Sequence, residues 1–265
     1  TSAFYRLADE GDARTLTDMV LGLIDASDAQ LDRDADRLAS VRGERADAAA
    51  AYFESVASDW ERVRALHVAD EEVERAMLAA AEDGPAGELL DIGTGTGRVL
   101  EIFARRVERG LGVDLSREML NVARSRLDEG RVSNCAVQHG DAYDLDVETG
   151  RFDIAVLHHV LHFLDDPESA IEEATRTLGP GGRLIIVDFA PHELELLRTE
   201  FSHRRLGFAD AEIRRWCELT GLVDVQVTHM APENESSPKS EPLVVGLWVA
   251  SQRSDAPSFR TLEVS

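Results

Sequence analysis

The sequence predicts an α/β fold: a doubly wound, mostly parallel sheet with an antiparallel pair at one edge, preceded by a helical N-terminal extension. Three observations carry this. From Gly87 onward, short apolar runs alternate with helix-like stretches, the signature of repeated β–α units around a parallel sheet. A glycine-rich turn, Gly93-Thr94-Gly95-Thr96-Gly97, joins the first apolar run to the first of these helices. The last two strand-like runs, LVDVQVTHM and EPLVVGLWVAS, are separated by a polar loop rather than a helix, which suits an antiparallel edge pair.

The elements follow in order. Residues 11–82 are rich in Ala, Asp, Glu, Arg and Leu, with almost no Gly and no Pro. Leu31, Ala35, Leu38 and Val41 recur at helical steps, as do Val56, Trp60, Val63 and Leu66, and Ser27 or Asp28 can cap a helix start. Then come GELLDI with the helix TGRVLEIFARRV, GLGVDL with SREMLNVARSRLDEG, NCAVQHG, and FDIAVLH with ESAIEEATRTL. GPGG at 179–182 is expected to end a helix and open the strand GRLIIVDF. PHELELLRTEFSHRRLGF reads as a long polar helix-like stretch, with Glu193, Glu195, Arg198, Glu200, Arg204 and Arg205 on a solvated face or in the wall of a pocket. A helix near Ala209–Thr220, stopped by Gly221, precedes the two final strands, and residues 252–265 read as a polar tail. Trp60 and Trp216 are expected to serve packing.

The chain has 265 residues and a formal net charge of −23. Such a field repels phosphate backbones and anionic membranes, so no direct nucleic-acid contact by this segment is expected. No apolar run reaches the roughly 20 residues of a membrane span. There is no signal-like start, and the two cysteines, Cys135 and Cys217, form neither a CxxC pair nor a disulfide framework. These features point to a cytoplasmic protein with two reduced thiols.

The glycine turn leaves its ligand open. It lacks the GxxxxGK[ST] of a phosphate-cradling loop. It also departs from the GxGxxG dinucleotide fingerprint, because its third glycine comes one residue early, which weakens an NAD-linked oxidoreductase without removing it. Missing side chains at Gly93 and Gly95 are expected to leave room for a ligand against the backbone. Asp114 ends the second strand, where a carboxylate can accept from two ribose hydroxyls. Asp141 follows the third, where it can accept from an adenine amine. His158 and His159 stand where the fourth strand ends. An acid at a strand end can equally be a helix cap. Four strand tips pointing into one crevice are what an open α/β sheet uses to bind ligands.

LLDIGTGTG, GVDLS with the following ML, GDAYDL, FDIAVLHHVLHFLDDP and LGPGGRLIIVD, taken in order, resemble the successive motifs of class I S-adenosylmethionine-dependent methyltransferases over roughly residues 87–250. The resemblance implies a Rossmann-like, seven-stranded sheet in a methyltransferase domain over 83–251. It implies S-adenosylmethionine as cofactor and methyl transfer to a small-molecule acceptor. It also implies residue roles: Asp91, Gly93, Thr94 and Gly95 by the methionine moiety, Asp114 on the ribose, Leu115 and Met119 beside the adenosine, Gly140, Asp141 and Ala142 at the adenine, and His158 beside the sulfonium. Tyr52 lies in a segment that folds over the cofactor in similar enzymes.

A second resemblance concerns FYRLADEGD at residues 4–12, which is similar to the wing and exit of an ArsR-type winged-helix regulator. It implies that residues 1–10 are a remnant of that domain and that 11–82 form a lid or pair two chains as a homodimer. An alternative function follows: a domain that senses S-adenosylmethionine or S-adenosylhomocysteine with little turnover.

Methyl transfer is an in-line displacement, so alignment dominates, and some acceptors also need a base. The candidates are His158, His162, Asp188, His192 and His203. His158 and His162, four apart, are spaced as metal ligands on one helix face can be. Without HExxH and without an evident third ligand, no metal is expected.

Overall fold

A computed structural model describes residues 70–81, 87–201, 203–231 and 243–254, together with Met19, Arg33 and Arg37. The chain divides into two compact units, Thr1–Ala48 and Ala49–Ser265. Of the first, only Met19, Arg33 and Arg37 are described; they are helical and exposed. All other described residues belong to the second unit.

The second unit runs α1 (Asp70–Ala81), β1 (Glu88–Ile92), α2 (Arg98–Phe103), β2 (Arg109–Asp114), α3 (Arg117–Glu129), β3 (Cys135–His139) and β4 (Phe152–His158). A 3-10 turn (Leu161–Phe163) leads to α4 (Pro167–Thr177), β5 (Leu178–Phe189), α5 (Glu195–Glu200), α6 (Asp210–Leu219), β6 (Val223–Met230) and β7 (Val245–Ser251). The strands form one seven-stranded sheet in the order β3-β2-β1-β4-β5-β7-β6. β1 to β5 are mutually parallel, and β7 lies antiparallel between β5 and β6. The Rossmann-like sheet with its C-terminal antiparallel hairpin is therefore as the sequence predicts.

Strand order reverses between β1 and β4. Succession from β1 runs outward through β2 to β3, then β4 returns to the other side of β1. In open α/β sheets such a switch point opens a crevice at the carboxyl ends of the strands. It places the glycine turn after β1 beside the tip of β4.

The strands are apolar throughout because both faces are covered. Leu90, Ile92, Ala155, Leu157, Leu184, Ile186 and Trp248 pack on one side against α4 and α6, through Ala170, Ile171, Ala174, Ile213 and Trp216. Their neighbours Leu89, Ile154, Val156, Ile185, Val187 and Leu247 pack on the other side against α1 and α2, through Val73, Met77, Val99, Leu100 and Phe103. Trp216 is thus a core residue, 5% exposed. Both cysteines are free thiols, Cys217 buried and Cys135 half-buried. Burial pushes the Cys217 thiol up to about 12, which leaves it unreactive.

Local signals start the helices. Ser116 accepts from the Met119 amide at 3.2 Å to cap α3, and Asp166 accepts from Ser169, with Pro167 opening α4. Arg98 makes a two-pronged contact with Glu74 at 2.7 and 2.8 Å and reaches Glu101 at 2.8 Å, tying α1 to α2.

Two expectations change. GPGG lies inside β5 rather than before it: Phe152 pairs with Leu178 and Ile154 with Arg183, so the extra residues bulge out of register. The stretch from Pro191 holds only the six-residue α5. Several of its charges pair outside their own helix, Arg204 with Asp165 and Arg205 with Glu212. These tertiary partners hold residues 204–205 in an irregular path that charge spacing alone reads as helix. Trp60, Ser27, Asp28 and the apolar positions from Leu31 to Leu66 lie outside the described residues, as do residues 4–12. No helix among the described residues is long and apolar enough to cross a membrane.

Trp248 is 1% exposed, and its indole N–H donates to Asp210 at 3.0 Å. Trp248→Ala is expected to cost about 3–5 kcal/mol. Trp248→Phe should keep most of the packing and lose about 1 kcal/mol for the hydrogen bond. Urea denaturation checks this: the midpoint falls in that order with the slope unchanged.

Candidate functional site

The glycine turn hangs from the end of β2. The amides of Gly93 and Thr94 both donate to the Val113 carbonyl, at 2.8 and 3.0 Å. The Gly95 amide donates to Asp114 Oδ2 at 2.8 Å, and the Ser116 amide to Asp114 Oδ1 at 2.8 Å. One lone pair on each Asp114 oxygen is thus taken by the backbone. Each oxygen keeps a second for a ligand.

The two glycines have different jobs. Both have positive φ, 73° at Gly93 and 53° at Gly95, a conformation costly for any residue with a Cβ. A Cβ on Gly93 would lie 2.5 Å from Val160 Cγ2, whereas one on Gly95 would meet nothing within 4 Å among the described residues. The space expected at Gly93 is therefore filled by Val160 of the chain itself. The open cradle is at Gly95 alone.

Beneath the turn, Asp91 is fully buried and accepts from Thr94 Oγ1 at 2.6 Å through Oδ2. Its other oxygen, Oδ1, is buried without a hydrogen-bond partner among the described residues. Burial raises its pKa from 3.8 to about 7, the Thr94 bond opposes this, and the nearby Asp114 charge adds to it. Burial also holds Asp114 above its ordinary value, against the lowering effect of the Ser116 and Gly95 amides.

Around this pair, Leu115 is 39% exposed at the strand tip. Met119, by contrast, is buried at 2% in the first turn of α3. Gly140 follows β3 and donates to the Asp114 carbonyl at 3.1 Å. Asp141 is exposed and accepts from the Tyr143 amide at 3.0 Å, a local turn, while Ala142 is half-buried. Asp91, Gly95, Asp114, Leu115 and Gly140–Ala142 therefore stand at the ends of three neighbouring strands. Tyr52 lies outside the described residues.

A second group gathers at the tips of β4 and β5. His162 Nδ1 and Asp188 Oδ1 are 2.7 Å apart. The Phe189 amide also donates to Asp188 Oδ1, at 2.8 Å. Asp188 is fully buried, His162 2% exposed and His203 6% exposed. The His203 ring lies 4.0 Å from that of His162, and Phe189 borders His159, His162, His192 and His203 at 4.8–5.9 Å between centroids. Of the five residues expected as bases, only His158 and His192 are half-buried; the other three are closed off from solvent.

His158 and His162 do not share a helix face. His158 ends β4, and His162 sits in the 3-10 turn after a chain reversal at His159, whose φ is 53°. That conformation costs a non-glycine residue on the order of 1 kcal/mol. His159, not His158, comes next to His162 and Asp188; the sequence places both at the end of the fourth strand but counts only His158 among the candidate bases. Its only signal there was adjacency in the His158-His159 pair. His192 Nδ1 accepts from the Leu194 amide at 3.2 Å, so its proton sits on Nε2, which is buried with no hydrogen-bond partner among the described residues. Burial lowers its pKa, keeping the ring neutral at neutral pH.

Residues 90–186 match the methyltransferase domain family. The matched stretch holds the glycine turn, Asp114, Asp141 and the tip of β4. An uncharacterized methyltransferase of Bacillus subtilis, YcgJ, is 35% identical over 118 residues, 44% of this chain and 47% of that protein. Demethylmenaquinone methyltransferase of Clavibacter sepedonicus is 32% identical over 154 residues, 57% of this chain and 62% of that one. These alignments span less than two thirds of either relative. The crystal structure of YcgJ superposes with a TM-score of 0.58 at 24% identity, covering 69% of this chain and 99% of that one. Phosphoethanolamine N-methyltransferase 2 of Haemonchus contortus, in complex with S-adenosylhomocysteine, gives 0.58 at 19% identity, covering 69% of this chain and 53% of that one. Both structures share the fold.

A buried carboxylate raised to about 7 has a defined effect on stability. The folded state binds the proton more tightly than the unfolded chain, so stability falls as pH rises through the interval between 3.8 and about 7, then levels. Asp91→Asn removes this cost. Without ligand it should be more stable than the parent by about 2–4 kcal/mol near pH 8, with the difference gone near pH 4. Urea unfolding at the two pH values measures it.

Proposed function

We propose that this chain is an S-adenosylmethionine-dependent methyltransferase acting on a small-molecule acceptor. The observation that carries the reading is the set of acids and open backbone at three adjacent strand tips, inside the stretch that matches the methyltransferase domain family. Structural neighbours with S-adenosylhomocysteine and S-adenosylmethionine bound support the cofactor.

The residues fit that cofactor. The unpartnered Oδ1 of Asp91 is a buried acceptor that an ammonium group satisfies and neutralises. The open space over Gly95 admits a chain lying on the backbone. Asp114 retains acceptor capacity on both oxygens for a ribose diol. Leu115 offers an exposed apolar surface for a purine, flanked by Gly140, Asp141 and Ala142. Gly93 and Thr94 act by shaping the turn, and Met119 supports it from within.

The sulfonium supplies an electrophilic methyl group. The chain's task is to align the acceptor with it and keep water out. His158, half-buried at the end of β4, is assigned to the methyl side of the crevice. His192 is assigned to the acceptor: its Nε2–H is a buried donor in need of a partner. His162, Asp188 and His203 are closed off and support this wall from behind. Demethylmenaquinone methyltransferase is among the relatives, but the acceptor's contacts lie outside the matched features, and a fold does not fix a substrate.

Calorimetric titration with S-adenosylhomocysteine tests the reading. Binding is expected in the intact chain and should fall at least about 100-fold in Asp114→Ala, which loses the ribose contact and the grip on Gly95. Failure of the intact chain to bind rejects the proposal. Transfer of labelled methyl from S-adenosylmethionine to a panel of small acceptors should follow the same order. His192→Ala should slow transfer about 10-fold or more while leaving S-adenosylhomocysteine affinity within about 2-fold.

Asp91 adds a pH signature. Its proton must leave before the carboxylate can pair with an ammonium. Binding should therefore release a proton below about pH 7, with affinity rising to that pH and then levelling. Calorimetry in buffers of different ionisation enthalpy counts the proton, and Asp91→Asn should abolish its release.

A further inference from the structure

We propose that His159, His162 and Asp188 form a site for one divalent transition-metal ion of the zinc or cobalt type. One donor atom from each of the three lies within 4.8 Å of the others. Two imidazole nitrogens and a carboxylate oxygen suit borderline ions, whereas magnesium and calcium take all-oxygen sets. With bonds of about 2.0–2.2 Å, ligand atoms stand roughly 3–3.5 Å apart.

The surroundings fit a cation better than a vacant polar cluster. Asp188 is fully buried and His162 nearly so. A carboxylate removed from water calls for a positive charge. Asp188 meets the imidazole nitrogen of His162 at 2.7 Å and accepts from two backbone amides, at 2.8 and 3.3 Å. The ion takes the place of the proton shared by His162 Nδ1 and Asp188 Oδ1, and that proton moves to Nε2 of the same ring. The backbone is already fixed. The His159 amide donates to the Val187 carbonyl at 2.8 Å, and the His162 carbonyl accepts from the Arg204 and Arg205 amides at 2.8 and 3.3 Å. Phe189 and the His203 ring pack against the cluster.

The site sits next to the glycine turn. Val160, between the two histidine ligands, is the side chain that fills the space at Gly93. The proposal does not rest on methyl transfer, and its test uses no cofactor.

The untagged full chain, stripped with chelator, is titrated with Zn2+ by calorimetry at about 150 mM salt, where diffuse binding to an acidic surface is screened. Expected are one Zn2+ per chain with micromolar or tighter affinity, no competition from Mg2+, and visible ligand-field bands when Co2+ is used. His159→Ala and Asp188→Asn should each weaken Zn2+ at least 10-fold, and His229→Ala, on an exposed pair with Asp210, should not. Asp188 lies in the core, so His159→Ala, at a half-buried position and checked for an unchanged circular dichroism melt, decides alone if Asp188→Asn does not fold. Absence of saturable Zn2+ binding, equal binding by His159→Ala, or displacement by Mg2+ at similar concentration overturns the proposal.

Discussion

A single carbonyl, that of Val113, receives the amide protons of both Gly93 and Thr94. One residue later, the Asp114 side chain takes the amide of Gly95. Together these bonds bend the chain leaving β1 back across the end of β2, and the candidate site is built on that bend. Parallel register puts Ile92 level with Val113, so the turn begins where the acceptors are. Val160 then fills the space beside Gly93, which ties the segment after β4 to the same bend. A shift of one residue in the β1–β2 register would remove the acceptors, turn Asp91 to the other face of the sheet and undo the cradle over Gly95.

Asp91 and Asp114 hold buried acid groups at the turn at the expense of stability. Two acids lie close to one another under and beside the turn, and burial raises both. Asp114 is compensated by two backbone amides; among the described residues Asp91 has one hydroxyl partner and an oxygen with none. The less compensated of the two is the one assigned to a positively charged group. The deficit that weakens the ligand-free protein is thus the same quantity that a cationic ligand recovers on binding.

The sheet was readable because both its faces are covered: continuous apolar runs such as LLDI and LIIV can only be interior strands when helices alternate with them. The place of Asp114 at the end of β2 was legible because the apolar run GLGVDL stops there; the caps of α3 and α4, Ser116 and Asp166, emerged only with the structure. What stayed hidden depended on partners distant in sequence. Nothing in GTGTG says that one glycine is filled by Val160 and the other left open. Charge spacing in the segment after β5 suggested a long helix, since Arg204 and Arg205 find Asp165 and Glu212 only in three dimensions. The change of hand at His159 turned a four-residue spacing that looked helical into a different grouping, with His159 in the place expected for His158.

The position of β7 has a consequence for how the chain is made. It lies between β5 and β6, and among the described residues β6 is bonded to it alone. As the polypeptide leaves the ribosome from its N-terminus, β6 emerges with no neighbour to join, and β5 waits as a bare apolar margin. Only when residues 245–251 arrive does one strand cover both. The nascent chain must therefore pass through a period with a sticky border, until the insertion of a wedge closes this side of the sheet.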